Sequence, residues 1–173
     1  LEELEESELT GGPEADAQRD KFADTVERKK RLLKAKENIQ GLNNWDYFTT
    51  PNYIVLYSWD GNKPAKQVKQ LKFAKWVSGS LESLRAEYER LLPPHDKMGD
   101  VYPVIRVCKD YSEYRNYDAP AGSAGYFHPA TKEFVVFDDT DGWMGGDKGT
   151  RSVLFHEGWH QYSDSYFDGP EMH

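Results

Sequence analysis

Ser152-Val-Leu-Phe-His-Glu-Gly-Trp-His-Gln-Tyr162 decides how the rest of this chain is read. His156 and His160 stand four apart, so on a helix they lie roughly 40° apart around the axis and one turn apart along it. Both imidazoles can then reach one cation at about 2.0–2.1 Å, the ordinary zinc–nitrogen distance. Glu157, roughly 100° from His156, lies beside such an ion rather than on it. A carboxylate there can take a proton from metal-activated water and return it to a leaving amine. Zinc lowers the pKa of that water toward 7, and Glu157 completes the activation. A chance His-Glu-x-x-His in a chain with five His has odds on the order of one in a hundred, so the spacing carries weight. Phe155, Trp159, Tyr162 and Tyr166 fall within roughly 60° of one another, about 110° from the histidines. This stripe is expected to face the core while the histidines face a cleft.

The segments around this helix predict an α+β fold, a small mixed sheet with flanking helices. Asp147 or Thr150 is a candidate cap for the helix, which ends near Phe167, before Asp168-Gly169-Pro170. Upstream, Glu133-Phe-Val-Val-Phe-Asp138 reads as a strand after a Pro129-Ala130-Thr131 turn. Tyr102–Cys108 and Tyr53–Trp59 read as two further strands, being β-branched and aromatic. Between those two, apolar residues recur at Val68, Leu71, Ala74, Val77, Leu81, Leu84, Tyr88 and Leu91. Spacings of three and four predict a helix over Lys66–Leu92, with Gly79 permitting close packing. Tyr111–Tyr117 reads as a short helix and Ala119–Gly125 as a loop.

At 173 residues the chain suits one domain with a sizeable core. Residues 1–18 read as an acidic flexible extension, 19–44 as an N-terminal surface helix, and 45–173 as the main domain. A net charge of -8 argues against nucleic acid as a partner, because phosphates need a basic footprint. Arg28-Lys29-Lys30-Arg31 is interspersed with Glu27 and Glu37 and reads as a solvated face. No apolar run reaches the roughly 18 residues that span a bilayer. The single Cys108 lies in an apolar run and reads as a buried, inert thiol. His95 and His128 lack ligand spacing and read as solvent-facing. Asp139-Thr-Asp-Gly142 is not a calcium loop, since Lys148 falls where its bidentate Glu belongs. The glycines of Gly122–Gly125 and Gly145-Gly146 read as turns. The chain opens without Met or a signal pattern, so a fragment or processed form is expected.

From Trp45 to Phe167 the chain resembles secreted gluzincin-like bacterial proteins of peptidase clan MA, many of them uncharacterised. The resemblance rests on Ala124-Gly-Tyr-Phe-His-Pro-Ala-Thr-Lys-Glu-Phe-Val-Val-Phe-Asp138 and on Ser152–Tyr162. It implies the N-terminal part of a zincin fold, a zinc cofactor held by His156 and His160, and Glu157 as the general base. It further implies an extracytoplasmic or secreted protein. The family's edge strand, which pairs with an extended substrate, maps to Glu133, Phe134, Val135, Val136 and Phe137. That strand is therefore expected at the sheet edge near His156, with Phe134 and Val136 toward the core. Gluzincins take their third zinc ligand from a Glu on a later helix, which would lie beyond His173, so the C-terminal subdomain is expected to be absent. Metzincins ask for Gly at 163 and His or Asp at 166, where this chain has Ser163 and Tyr166. Of the local alternatives, Asp164, Asp168, Glu171 and His173, the first lies one turn beyond His160.

Two functions stay open at this point. One is zinc-dependent hydrolysis of a peptide or protein substrate. The other is a non-catalytic, peptidase-like binding or assembly domain, with the Asp20–Gln40 helix docking a partner. Nothing in the sequence encodes an oligomeric state.

Overall fold

Three apolar runs form the parallel heart of a five-stranded sheet in a computed structural model that describes residues 12–140, 142 and 145–167. In chain order the elements are α1 (Pro13–Asp20), α2 (Val26–Ile39), β1 (Trp45–Thr49), β2 (Ile54–Ser58) and α3 (Pro64–Leu91). A 3-10 turn (Asp96–Asp100) leads to β3 (Val104–Cys108), α4 (Tyr111–Arg115), β4 (Gly125–His128), β5 (Glu133–Phe137) and α5 (Gly146–Phe167). The strands lie in the order β1-β2-β3-β5-β4. β2, β3 and β5 run parallel, while β1 and β4 pair antiparallel at the two edges. The expected α+β class, with a small mixed sheet and flanking helices, is what the chain adopts.

Both faces of the central strands are covered, which explains why they are apolar without alternation. Val55, Tyr57, Ile105, Val107, Phe134 and Val136 pack against Leu71, Ala74, Val77 and Leu81 of α3 and Leu154 of α5. On the opposite face Ile54 and Leu56 meet Leu32, Ala35 and Ile39 of α2. Cys108, Val135 and Phe137 meet Tyr114 of α4. Cys108 is fully buried, as expected of an inert thiol, and burial pushes its pKa up.

Several expectations are corrected. β5 is not an edge strand: β3 flanks it on one side and β4 on the other. The edge belongs to Gly125–His128, which returns through a tight turn closed by Lys132 N–H donating to His128 O at 2.8 Å. The N-terminal helix is two helices, because the chain breaks between Asp20 and Val26, where Thr25 caps α2 by accepting from Arg28 N. Part of the expected extension is thereby helical, with Pro13 at the first turn of α1. Arg28 is more than a solvated cation. Its guanidinium donates to Gly99 O, Phe22 O and Pro51 O and lies 4.5 Å over the Tyr102 ring. Gly79 has open space where a side chain would stand, so it packs against nothing. Among the described residues no helix is long and apolar enough to cross a membrane.

Candidate functional site

α5 starts at Gly146, whose N–H donates to Asp139 Oδ2 at 2.8 Å, and Thr150, one of the two expected caps, lies a turn inside the helix, while the side chain of the other, Asp147, lies outside the described residues. Gly145 and Gly146 both have positive φ, which lets the chain turn sharply onto that carboxylate. Two other glycines set how closely α5 is held. A Cβ at Gly158 would stand 2.9 Å from Leu81 Cδ2, so the missing side chain lets α3 approach. A Cβ at Gly125 would stand 2.6 Å from Val153 Cγ1, so the edge strand β4 lies directly on α5. Tyr88 of α3 donates from its hydroxyl to Phe155 O at 2.7 Å, and Tyr162 donates to Leu92 O.

The aromatic stripe is only partly what the helical wheel implies. Trp159 and Tyr162 contact Tyr88, and Tyr162 is buried, but Phe155 is 61% exposed. The face that enters the core is Leu154, Gly158 and Gln161 instead. A glycine and a buried amide are invisible to a pattern that counts apolar residues.

His156 and His160 converge. Their Nε2 atoms are 3.1 Å apart, with the rings 4.6 Å between centroids and nearly perpendicular. The His156 side chain is 70% exposed, so this pair opens to solvent. Glu157 is half-buried beside them. Its Oε2 accepts the backbone N–H of Phe127 at 2.9 Å, and its Oε1 lies 3.9 Å from His156 Nε2. One carboxylate oxygen is fixed by the sheet, and the other faces the histidines. Because Phe127 N–H points away from β5, the Phe127 C=O lies on that outer side too. Next to Glu157 and His160 is a cavity of about 520 Å³ between the β4–β5 hairpin and the end of α5.

The residues expected to contact substrate are placed otherwise. Phe134, Val135, Val136 and Phe137 are buried in the sheet. Glu133 is engaged: its carboxylate accepts from Arg106 Nε at 2.9 Å and Nη2 at 3.1 Å. Asp164, the local candidate for a third ligand, pairs with Lys132 at 2.8 Å. Among the described residues no group of three or more His, Cys, Asp or Glu is placed to hold a metal ion. Asp168, Glu171 and His173 lie outside the described residues. His95 is exposed and contacts Tyr166 O through Nε2, whereas His128 is half-buried and accepts from Thr131 N.

Sequence reasoning missed the Phe127 backbone. Its signal was the Gly125-Tyr-Phe-His128 run before the turn, a short strand that ends against the helix. A larger crevice, about 1020 Å³, lies between α1, β1 and α3, at the opposite edge of the sheet from β4.

Comparison of the chain with protein-family models, with curated proteins and with solved structures finds no match to any of them.

Proposed function

We propose that this chain hydrolyses peptide bonds with zinc, His156 and His160 being two of the ligands and Glu157 the general base. The observation that carries the reading is the convergence of the two Nε2 atoms at 3.1 Å beside a carboxylate. Two donors of a tetrahedral ion at roughly 2.0–2.1 Å stand about 3.3–3.4 Å apart, so the pair fits two positions of such a site. Zinc bound there would supply Lewis acidity and a water acidic enough to attack near neutral pH.

The chain's own residues do the rest. Phe127 N–H holds Glu157 Oε2 and so fixes the plane of the carboxylate. Oε1, on the histidine side, is then placed to accept a proton and pass it to the leaving amine. The outer edge of β4 offers the Phe127 C=O to an extended peptide, the role that the buried β5 cannot take. An extracytoplasmic setting belongs to the same proposal and rests on the sequence resemblance.

The donor set of two, among the described residues, favours a second reading, a peptidase-like domain that binds without catalysis. Metal analysis separates the two. Stoichiometric zinc in the purified protein, lost in His156→Ala and in His160→Ala, is expected of the enzyme. Undiminished zinc in both variants would remove the histidines from the site.

A further inference from the structure

The larger crevice, at the sheet edge away from the histidines, is built by three elements that leave space between them. Its volume is about 1020 Å³, at the upper end of the range for small-molecule sites. Phe48, Tyr57 and Leu71 form an apolar floor. One wall is α1, which buries none of its own residues. It straddles the edge of β1 on polar bonds. Arg19 Nη1 donates to Asp46 Oδ1 at 2.8 Å, Tyr47 Oη to Asp20 Oδ1 at 2.8 Å, and Thr49 Oγ1 to Arg19 O. The other wall is one face of α3, with Leu71, Lys75, Ser78, Gly79 and Glu82. From Leu71 to Glu82 that face runs about 16 Å along the helix, so the crevice is elongated.

Gly79 sits in a helix interior, where glycine is less stable than alanine. A Cβ there would meet nothing within 4 Å, so no neighbour demands its absence. What the absence provides is room in the crevice. The charges lining the crevice balance, Arg19, Lys21 and Lys75 against Glu14, Asp46 and Glu82. Asp46 is held by Arg19, and Glu82 by Thr50 Oγ1 at 2.6 Å and by Asn52 N and Nδ2 at 2.8 and 2.6 Å. Arg19 Nε is buried without a hydrogen-bond partner among the described residues. An elongated crevice of balanced charge, with an apolar floor and an unmet donor, suits a neutral chain that carries an acceptor. We propose that it binds a monomeric neutral acyl ester. The aliphatic chain lies along α3 over Phe48 and Tyr57, and the carbonyl oxygen turns toward Arg19. The site stands apart from His156 and His160 and is independent of the hydrolytic reading.

Octanoyl, decanoyl and dodecanoyl glycerol, each below its micelle concentration, are titrated into the full chain by calorimetry. Saturable one-to-one binding is expected, tightening about fourfold for each methylene added. Dodecanoate and dodecylammonium, charged and of the same length, should bind more weakly, because a charge buried without a partner is costly. Gly79→Leu should fill the crevice and abolish binding. Its thermal midpoint should stay at or above that of wild type, leucine being the better helix former. Gly79→Ala, a smaller intrusion, should weaken binding and raise the midpoint. No saturation with any chain, affinity independent of chain length, tighter binding of either charged amphiphile, or unchanged affinity in a folded Gly79→Leu protein would overturn the site. Binding confined to phosphatidylcholine vesicles, and equal in wild type and Gly79→Leu, would overturn it as well, marking a membrane surface instead of the crevice.

Discussion

The backbone N–H of Phe127 donates to Glu157 Oε2 at 2.9 Å, so the edge strand of the sheet orients the carboxylate carried by α5. Glu157→Gln keeps an oxygen that can accept this bond and loses the capacity to take a proton. Fold and zinc content are therefore expected to persist. General-base catalysis contributes typically 10²–10⁴-fold, so kcat should fall by about that factor. Near-normal hydrolysis by the variant, measured with zinc content in parallel, would assign Glu157 another role.

Glu133 is a structural anion rather than a substrate contact. Arg106 is 3% exposed and lies 4.4 Å from the Tyr117 ring and 5.4 Å from Trp45, with Glu133 as its bidentate partner. Burial alone would lower the pKa of Arg106, but the hydrogen bond and charge of Glu133 outweigh it and raise it. Glu133→Ala leaves a buried guanidinium unpaired, which costs about 3–5 kcal/mol. Arg106→Met with Glu133→Leu should recover most of that loss in urea unfolding. Wild-type stability in Glu133→Ala would show that the pair is solvated.

Much of this architecture was legible in the chain. β2, β3 and β5 are β-branched and aromatic, and α3 shows its apolar period over seven turns. β1 and β4 escaped because Trp45-Asp-Tyr-Phe-Thr49 and Gly125-Tyr-Phe-His128 are short and carry Asp or Gly. Their extended state depends on pairing with β2 and β5, which local propensity does not encode. Strand order escaped for a similar reason, although Phe134-Val-Val-Phe137 did carry a signal. An uninterrupted apolar run marks a strand covered on both faces, not an edge. The histidines were legible because their geometry is local to one helix. The Phe127 backbone was not, since it lies thirty residues from Glu157 and enters through its main chain.

Gln161 is 2% exposed, and neither its Nε2 nor its Oε1 has a hydrogen-bond partner among the described residues. A buried polar group left unpaired costs about 1–3 kcal/mol. Gln161→Met, close in length and apolar, is expected to raise stability by about that amount. The reading is a higher urea midpoint at unchanged slope. A lower midpoint would mean that the amide holds a buried water.

Alkaline pH should unfold the protein cooperatively. Burial pushes Tyr102 up to about 12, and Tyr53 and Tyr114 are raised further, while Cys108 is raised well above an ordinary thiol. A raised folded-state pKa contributes stability that is complete below the unfolded pKa and is lost as pH rises toward the folded one. The loss therefore starts above about 8.5, from the thiol, and steepens above about 10, from the tyrosines. Tyrosinate absorbance at 295 nm should appear together with loss of far-ultraviolet dichroism. Native Cys108 should stay unreactive toward a thiol reagent at pH 8. Prompt titration of all tyrosines in a folded protein would contradict this burial.

Gly125 joins stability to the site. A Cβ there would meet Val153 Cγ1 at 2.6 Å and Val135 O at 3.2 Å, and the second of these is backbone that cannot swing away. Gly125→Ala must therefore push β4 off α5 or force Val153 from its rotamer, at a cost of about 1–3 kcal/mol. The displacement acts where Phe127 N–H reaches Glu157, two residues along the same strand. Turnover should then fall more than the folded fraction does, because the carboxylate loses its support. Val153→Ala makes room for the added methyl, so the double variant should recover stability, with a coupling of about 0.5–3 kcal/mol between the two positions. Thermal unfolding of the two single variants and the double closes the cycle. Strict additivity would show that Gly125 and Val153 do not touch, and that the contact between strand and helix is set elsewhere.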